Sequence, residues 1–169
     1  MPAPADVLPP PGLETVAMPE ARAFPITIRA AVPGDLDAIV ALDREATGVE
    51  KRRYWRDIFE RFVGAEREQR FFLVAEHDGK AAGFVIAEVR AWEFGSPPCG
   101  WVFALNVKRA LREHGIATVL FNQMCSLLRR AGVDTVRTMV ERTNKVNLSF
   151  FRSMGLRTGP YVELEQPLG

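Results

Sequence analysis

Cysteine is scarce: Cys99 and Cys125 are the only two, far apart and without metal-ligand spacing. That argues against a disulfide-stapled secreted scaffold and a cysteine metal site, and it fits a reducing cytosol with both thiols structural. An excess of charge is also lacking. The 22 Lys and Arg against 21 Asp and Glu leave a formal charge of +1, so nothing chain-wide attracts nucleic acid or an anionic membrane, and any anion must be held locally. No basic stripe with interleaved aromatics marks the expected strands as a nucleic-acid surface. No apolar run reaches the roughly 18 to 20 residues of a membrane-spanning helix, and the N-terminus lacks the basic-then-apolar layout of a signal peptide. Internal repeats are absent. The expectation is a soluble, cytoplasmic protein with no metal, and 169 residues suit one core plus an extension.

The extension is residues 1–25, where Pro2, Pro4, Pro9, Pro10, Pro11, Pro19 and Pro25 remove backbone donors and fix φ, so a flexible arm is expected. The domain proper is then 26–169. Ile26 to Ala30 suits a strand, and Pro33-Gly34-Asp35 opens a helix through Leu36, Ile39 and Val40 that ends near Gly48. A second helix over Arg53 to Val63 buries Trp55, Ile58, Phe59 and Phe62, with Gly64 as its stop. Phe71 to Glu76 and Ala82 to Val89 form an antiparallel pair around His77-Asp78-Gly79-Lys80, because an Asp-Gly pair supplies the positive φ of a tight hairpin. Glu93 to Gly100 is a loop, and Trp101 to Val107 is apolar on both faces, as a central strand should be. A helix over Ile116 to Ala131 precedes a strand at Thr135 to Val140, a short helix at Val146 to Ser153 and a last strand at Tyr161 to Leu164. The order implies a mixed α+β fold with helices on both faces of the sheet.

Chemistry concentrates after Val107, in Lys108-Arg109-Ala110-Leu111-Arg112-Glu113-His114-Gly115-Ile116-Ala117-Thr118. Small residues at Gly115 and Ala117 let a ligand approach the backbone where a helix begins. The first turn of a helix has unpartnered amides and the positive end of the dipole, which suits a diphosphate, and Arg112 can add a charge-assisted contact. The plain alternative is a tight strand-to-helix turn with a solvated Arg112.

This stretch resembles the signature of the GNAT acyltransferase superfamily: a strand ending in Val, then Arg or Gln, two residues, Gly, any residue, and Gly or Ala. Arg112, Gly115 and Ala117 stand in those positions, and Asn144, Phe151 and Gly155-Leu156 match a second family element at its spacing. The resemblance implies a mostly antiparallel central sheet splayed between its fourth and fifth strands, opening after Leu105. It implies acetyl-CoA or another acyl-CoA as donor, and direct attack by the primary amine of a small molecule or a protein. Residues implied to contact the coenzyme are Leu105, Asn106, Val107, Arg112, Glu113, His114, Gly115, Ile116, Ala117, Thr118, Asn144 and Phe151. The backbone of Leu105 and Val107 would hold the pantetheine arm and polarise the thioester, while Asn144 could equally be a helix cap.

Proton transfer is thinner. The family often has a Tyr acid where this chain has Phe151, and a carboxylate base near Ala104. A thiolate can leave without a dedicated acid, since its reference pKa is about 8.5. Glu93 is the first candidate base, with Glu88 and Glu141 behind it, while His77 and His114 read as surface residues. An acceptor should enter between the first two helices and the loop from Ala91 to Gly100, past Tyr54, Trp55, Trp92, Glu93 and Phe94. The Lys51-Arg52-Arg53 cluster with Arg56 could instead hold an acidic group. The rival to an N-acetyltransferase is an acyl-CoA-binding regulatory module without catalysis. A short tail after Gly155 leaves a sheet edge that a homodimer would cover.

Overall fold

The computed structural model describes residues 24–64 and 69–169. Most of the expected arm, residues 1–23, lies outside them, but Phe24 at its end packs beside the core. The elements are β1 (Thr27–Ala30), α1 (Leu36–Thr47), α2 (Arg52–Phe62), β2 (Arg70–His77), β3 (Lys80–Arg90), β4 (Cys99–Val107), α3 (Ile116–Arg130), β5 (Val136–Thr138) and α4 (Lys145–Ser153). Short 3-10 turns occupy Pro33–Asp35, Glu93–Gly95 and Arg109–Leu111. The strands form one sheet in sequence order, antiparallel from β1 through β4 and parallel between β4 and β5.

Because successive strand side chains point to opposite faces, β2 and β3 serve two cores. Phe72, Val74, Phe84 and Ile86 meet Ile39 of α1 and Trp55, Ile58 and Phe59 of α2. Leu73, Ala75, Val85 and Ala87 meet Leu120, Met124 and Leu128 of α3 on the other face. The hairpin between β2 and β3 forms as its residues dictate: Asp78 and Gly79 have φ of 49° and 70°, which a two-residue turn of matching twist requires. Helix α1 ends at Gly48, whose φ of 75° is left-handed. Between α1 and α2 the buried Asp43 accepts from Trp55 Nε1 at 2.9 Å and pairs with Lys51 Nζ at 3.0 Å.

Three expectations are corrected. β5 is shorter than Thr135 to Val140, and its register with β4 ends at Val102 opposite Thr138, so the sheet opens before Leu105 rather than after it. The expected last strand at Tyr161 to Leu164 does not form, and Tyr161, Val162 and Leu164 are exposed. An extended segment gains stability only from a ladder, and this one follows Pro160, which has no N–H to offer. The expected loop before β4 is also shorter, since Cys99 and Gly100 pair with Arg90 and Val89.

Candidate active site

The opening between β4 and β5 is made by one extra residue. Ile86 pairs with Ala104 and Ala87 with Val102, so Phe103 bulges out of the β3 ladder. A bulge reverses the alternation of backbone groups beyond it. Before it, the Gly100 N–H donates toward β5, to Thr135 O at 2.8 Å; after it, the Lys108 N–H donates toward β3, to Ala82 O at 2.8 Å. By alternation the N–H groups of Leu105 and Val107 face the other side, where β5 has already ended. The two N–H groups thus lie on an edge that can take an added strand-like ligand.

Past Val107 the chain turns through Arg109–Leu111 and reaches α3 in an unusual conformation. Glu113 has φ of 72° and Gly115 of 76°, and left-handed backbone at a non-glycine costs roughly 1–2 kcal/mol. Gly115 is the N-cap of α3 and supplies no side-chain cap. The Val119 N–H closes the first helical bond to Gly115 O at 3.1 Å, which leaves the first-turn amides of Ile116, Ala117 and Thr118 without a partner among the described residues. Arg112 is exposed and folds back, its Nε donating to Val107 O at 3.3 Å. Its terminal nitrogens have no hydrogen bond or ion-pair partner among the described residues, so no protein contact has to break for them to reach an anion.

Other expected site residues take more specific positions. The Asn106 side chain is committed to the scaffold: Nδ2 donates to Leu42 O of α1 at 3.0 Å. Asn144 is the N-cap of α4, with Oδ1 accepting from Asn147 N at 3.0 Å, so the cap alternative holds and Nδ2 stays available. Phe151 is half-buried against Phe121 and Phe150, with ring centroids 5.8 and 5.2 Å away. Glu93 sits on the turn before β4, 4.0 Å from Arg90 Nε. The strand end nearest it, Cys99, is roughly 20 Å along β4 from Leu105, so Glu93 is a poor base for chemistry at that edge. Glu88 is paired with Arg90 Nε at 3.0 Å, and Glu141 accepts from Thr143 Oγ1.

On the acceptor side Trp55 is core rather than lining, at 2% exposure. Tyr54, Trp92 and Phe94 are exposed, and both Trp92 and Phe94 are left-handed. Lys51 is held by Asp43, and Arg52 by Asp37 at 2.5 Å. That leaves Arg53 and Arg56 as the solvated members of the basic cluster. A groove of about 430 Å³ runs between α1 and the start of α2, and its charged lining is Asp37, Arg44, Glu45, Glu50 and Arg52. Glu45 links this groove to the loop, accepting from the Arg109 N–H at 3.1 Å. Sequence reasoning missed Glu45, because its partner lies 64 positions away and no local pattern joins them.

The sequence profile of the acetyltransferase (GNAT) family matches residues 36–156. An L-2,4-diaminobutyric acid acetyltransferase of Nocardia farcinica is 30% identical over 96 residues, covering 57% of this chain and 48% of that protein; the chain thus spans about half the length of that relative. Among solved structures, the aminoglycoside N-acetyltransferase AAC(6')-Iy in complex with CoA superposes with a TM-score of 0.75 at 18% identity, over 88% of this chain and 99% of that one. A transcriptional regulator from Bacillus halodurans superposes with a TM-score of 0.70 at 16% identity, over 85% and 99%, so the shared fold alone does not specify a role. The profile match spans most of the chain, and it includes the bulged strand, the left-handed turn and the uncapped helix start: the chain belongs to the acetyltransferase (GNAT) family.

Proposed function

We propose that this N-acetyltransferase moves the acetyl group of acetyl-CoA to the primary amine of a small molecule by direct attack. The observation that carries the reading is the bulge at Phe103, which turns the Leu105 and Val107 N–H groups outward on a strand that runs into unpartnered helix amides. The site fits a diphosphate-bearing thioester. The amides of Ile116, Ala117 and Thr118 with the Arg112 guanidinium suit the diphosphate, and Asn144 Nδ2 suits an amide of the pantetheine arm. When bound, the thioester supplies an activated acetyl group. The chain's part is to orient it and to polarise its carbonyl through the backbone of Leu105 or Val107.

Proton transfer is left largely to solvent and the substrates in this reading. Ala104 and Phe151 have no proton to take or give, and Glu88 and Glu93 are drawn to Arg90. The amine attacks in its neutral form, so kcat/KM should rise tenfold per pH unit up to the acceptor's own pKa. A plateau set instead at one pH for acceptors of different basicity would point to an enzyme base. Two relatives named for amine acceptors support a small cationic amine; in the groove between α1 and α2 it would exchange with the contacts that already engage the carboxylates, Arg52 on Asp37, Arg44 on Glu50 and the Arg109 N–H on Glu45.

Calorimetric titration with acetyl-CoA tests the donor site. Micromolar binding is expected, with a loss of at least about tenfold, or about 1.4 kcal/mol, in a folded Arg112→Ala, Gly115→Asp double variant. Unchanged affinity in that variant would remove the loop from the site. Binding without turnover across diamines, diamino acids and aminoglycosides would favour a binding module over an enzyme.

The exposed quadrant around β5 suits a second copy of the chain. β5 is an edge strand that contains Arg137 and is followed by Arg142 and Lys145, and the tail Tyr161 to Glu165 alternates Glu163 and Glu165 with Val162 and Leu164. Arg137 already lies 4.6 Å from the Tyr161 ring. Sedimentation at tens of micromolar should show a dimer that Val162→Asp with Leu164→Asp dissociates; a monomer of the unaltered chain would refute the pairing.

A further inference from the structure

Phe24 occupies a place that the donor-site reading does not explain. Its ring is stacked on His77 at 4.0 Å with an interplanar angle of 22°, and lies 4.2 Å from His114 at 46°. The two histidines come from different connections: His77 closes β2 at the hairpin, and His114 belongs to the turn before α3. Each imidazole is held by its own backbone contact. His77 Nδ1 is 2.8 Å from Pro25 O, and His114 Nδ1 is 3.1 Å from Arg112 O. A carbonyl can only accept, so Nδ1 carries the hydrogen in both rings. Phe24 also packs on the apolar cluster under α3.

The contact falls between the two left-handed residues of the turn. Glu113 and Gly115 flank His114 with φ of 72° and 76°; glycine adopts this freely, whereas at Glu113 it persists only where surrounding structure enforces it. On one side Arg112 is tied to Val107 O; on the other the only ring against His114 among the described residues is Phe24. We propose that Phe24 is a positioning residue for the diphosphate-binding turn: wedged between His77 and His114, it holds Glu113 to Gly115 in the left-handed path that aims the α3 amides at the ligand. The inference rests on the donor-site reading above. It adds to that reading a residue over 80 positions upstream in sequence, with a role confined to the phosphate end of the coenzyme.

The test compares two donors in steady-state kinetics. Acetyl-CoA carries the diphosphate, whereas S-acetylpantetheine shares its thioester and arm without it. Phe24→Ala should raise KM for acetyl-CoA about tenfold with kcat little changed, and leave kcat/KM for S-acetylpantetheine as in the unaltered protein; Phe24→Tyr should restore the acetyl-CoA value. His114→Ala should have a similar effect, and the double variant should be no worse than the worse single one, since both remove one contact. Equal loss with both donors would make Phe24 an ordinary packing residue and overturn the proposal. Unchanged acetyl-CoA kinetics in His114→Ala, a variant with an exposed site, would overturn it even if Phe24→Ala fails to fold. Failure of the unaltered protein to bind acetyl-CoA would instead remove the donor-site reading and this inference with it.

Discussion

At the scale of single residues, the interactions that matter most are those whose partners leave no slack. Trp55 Nε1 donates to the buried Asp43 carboxylate at 2.9 Å, so Trp55→Phe keeps most of the ring packing but leaves an acceptor short of a donor. A loss of about 1–3 kcal/mol is expected, read as a lower denaturation midpoint. Asp35 is a second case. Burial raises its pKa, but the Arg29 guanidinium, at 2.7 and 2.9 Å, and the Val32 N–H, at 2.9 Å, outweigh burial and hold the carboxyl below its ordinary value of 3.8. A depressed folded pKa means stability that is present above 3.8 and lost as pH falls through the folded value. The stability gap between the protein and Asp35→Asn should therefore be widest near neutrality and shrink below pH 3.8; a gap independent of pH would show that the ionised pair contributes nothing. Phe151 offers a gain rather than a loss. Placed in the ring cluster with Phe121 and Phe150, Phe151→Tyr would add a proton donor for the departing thiolate, and kcat should hold or rise. A large fall would mean that the ring's packing, not the missing hydroxyl, is what the site requires.

At the scale of elements, β3 and β4 define the site, and their spacing depends on Gly83. A Cβ there would lie 2.8 Å from Asn106 O and 3.1 Å from Val107, on the strand whose far edge presents the outward amides. Gly83→Val should push β4 away from β3, costing about 1–3 kcal/mol and weakening acetyl-CoA binding together with stability. A stability loss with intact binding would separate the β3 contact from the donor edge. The elements themselves were largely legible, because each carries its own period. Trp55, Ile58, Phe59 and Phe62 repeat at helical spacing, and Asp78-Gly79 can hardly be anything but a tight turn. β5 was misjudged by length, since the β-rich run from Thr135 to Val140 says nothing about where its neighbour bends away. The tail failed for a related reason: Tyr161 to Leu164 alternates like a strand but has no ladder to join.

At the scale of the whole molecule, the face of the sheet that carries α1 is braced to the turn out of β4 by contacts between residues far apart in sequence. Asn106 Nδ2 to Leu42 O and Arg109 N to Glu45 tie α1 to both ends of the turn out of β4. Glu45→Ala should thus loosen the loop and the acceptor groove together, raising KM for both substrates by severalfold; a change confined to the acceptor would leave Glu45 a groove residue alone. By itself the sequence determined the order of elements as far as α4, the hairpin, the amphipathic helices and the Arg112, Gly115, Ala117 turn, since these follow from propensity, period and spacing within a few residues. Only the tertiary structure decided that Phe103 bulges, that the sheet opens before Leu105 rather than after it, that Asn106 serves the scaffold, and that Phe24 lodges between His77 and His114. Each of those depends on which distant backbone lies alongside, and local preference is silent about partners that only folding brings together.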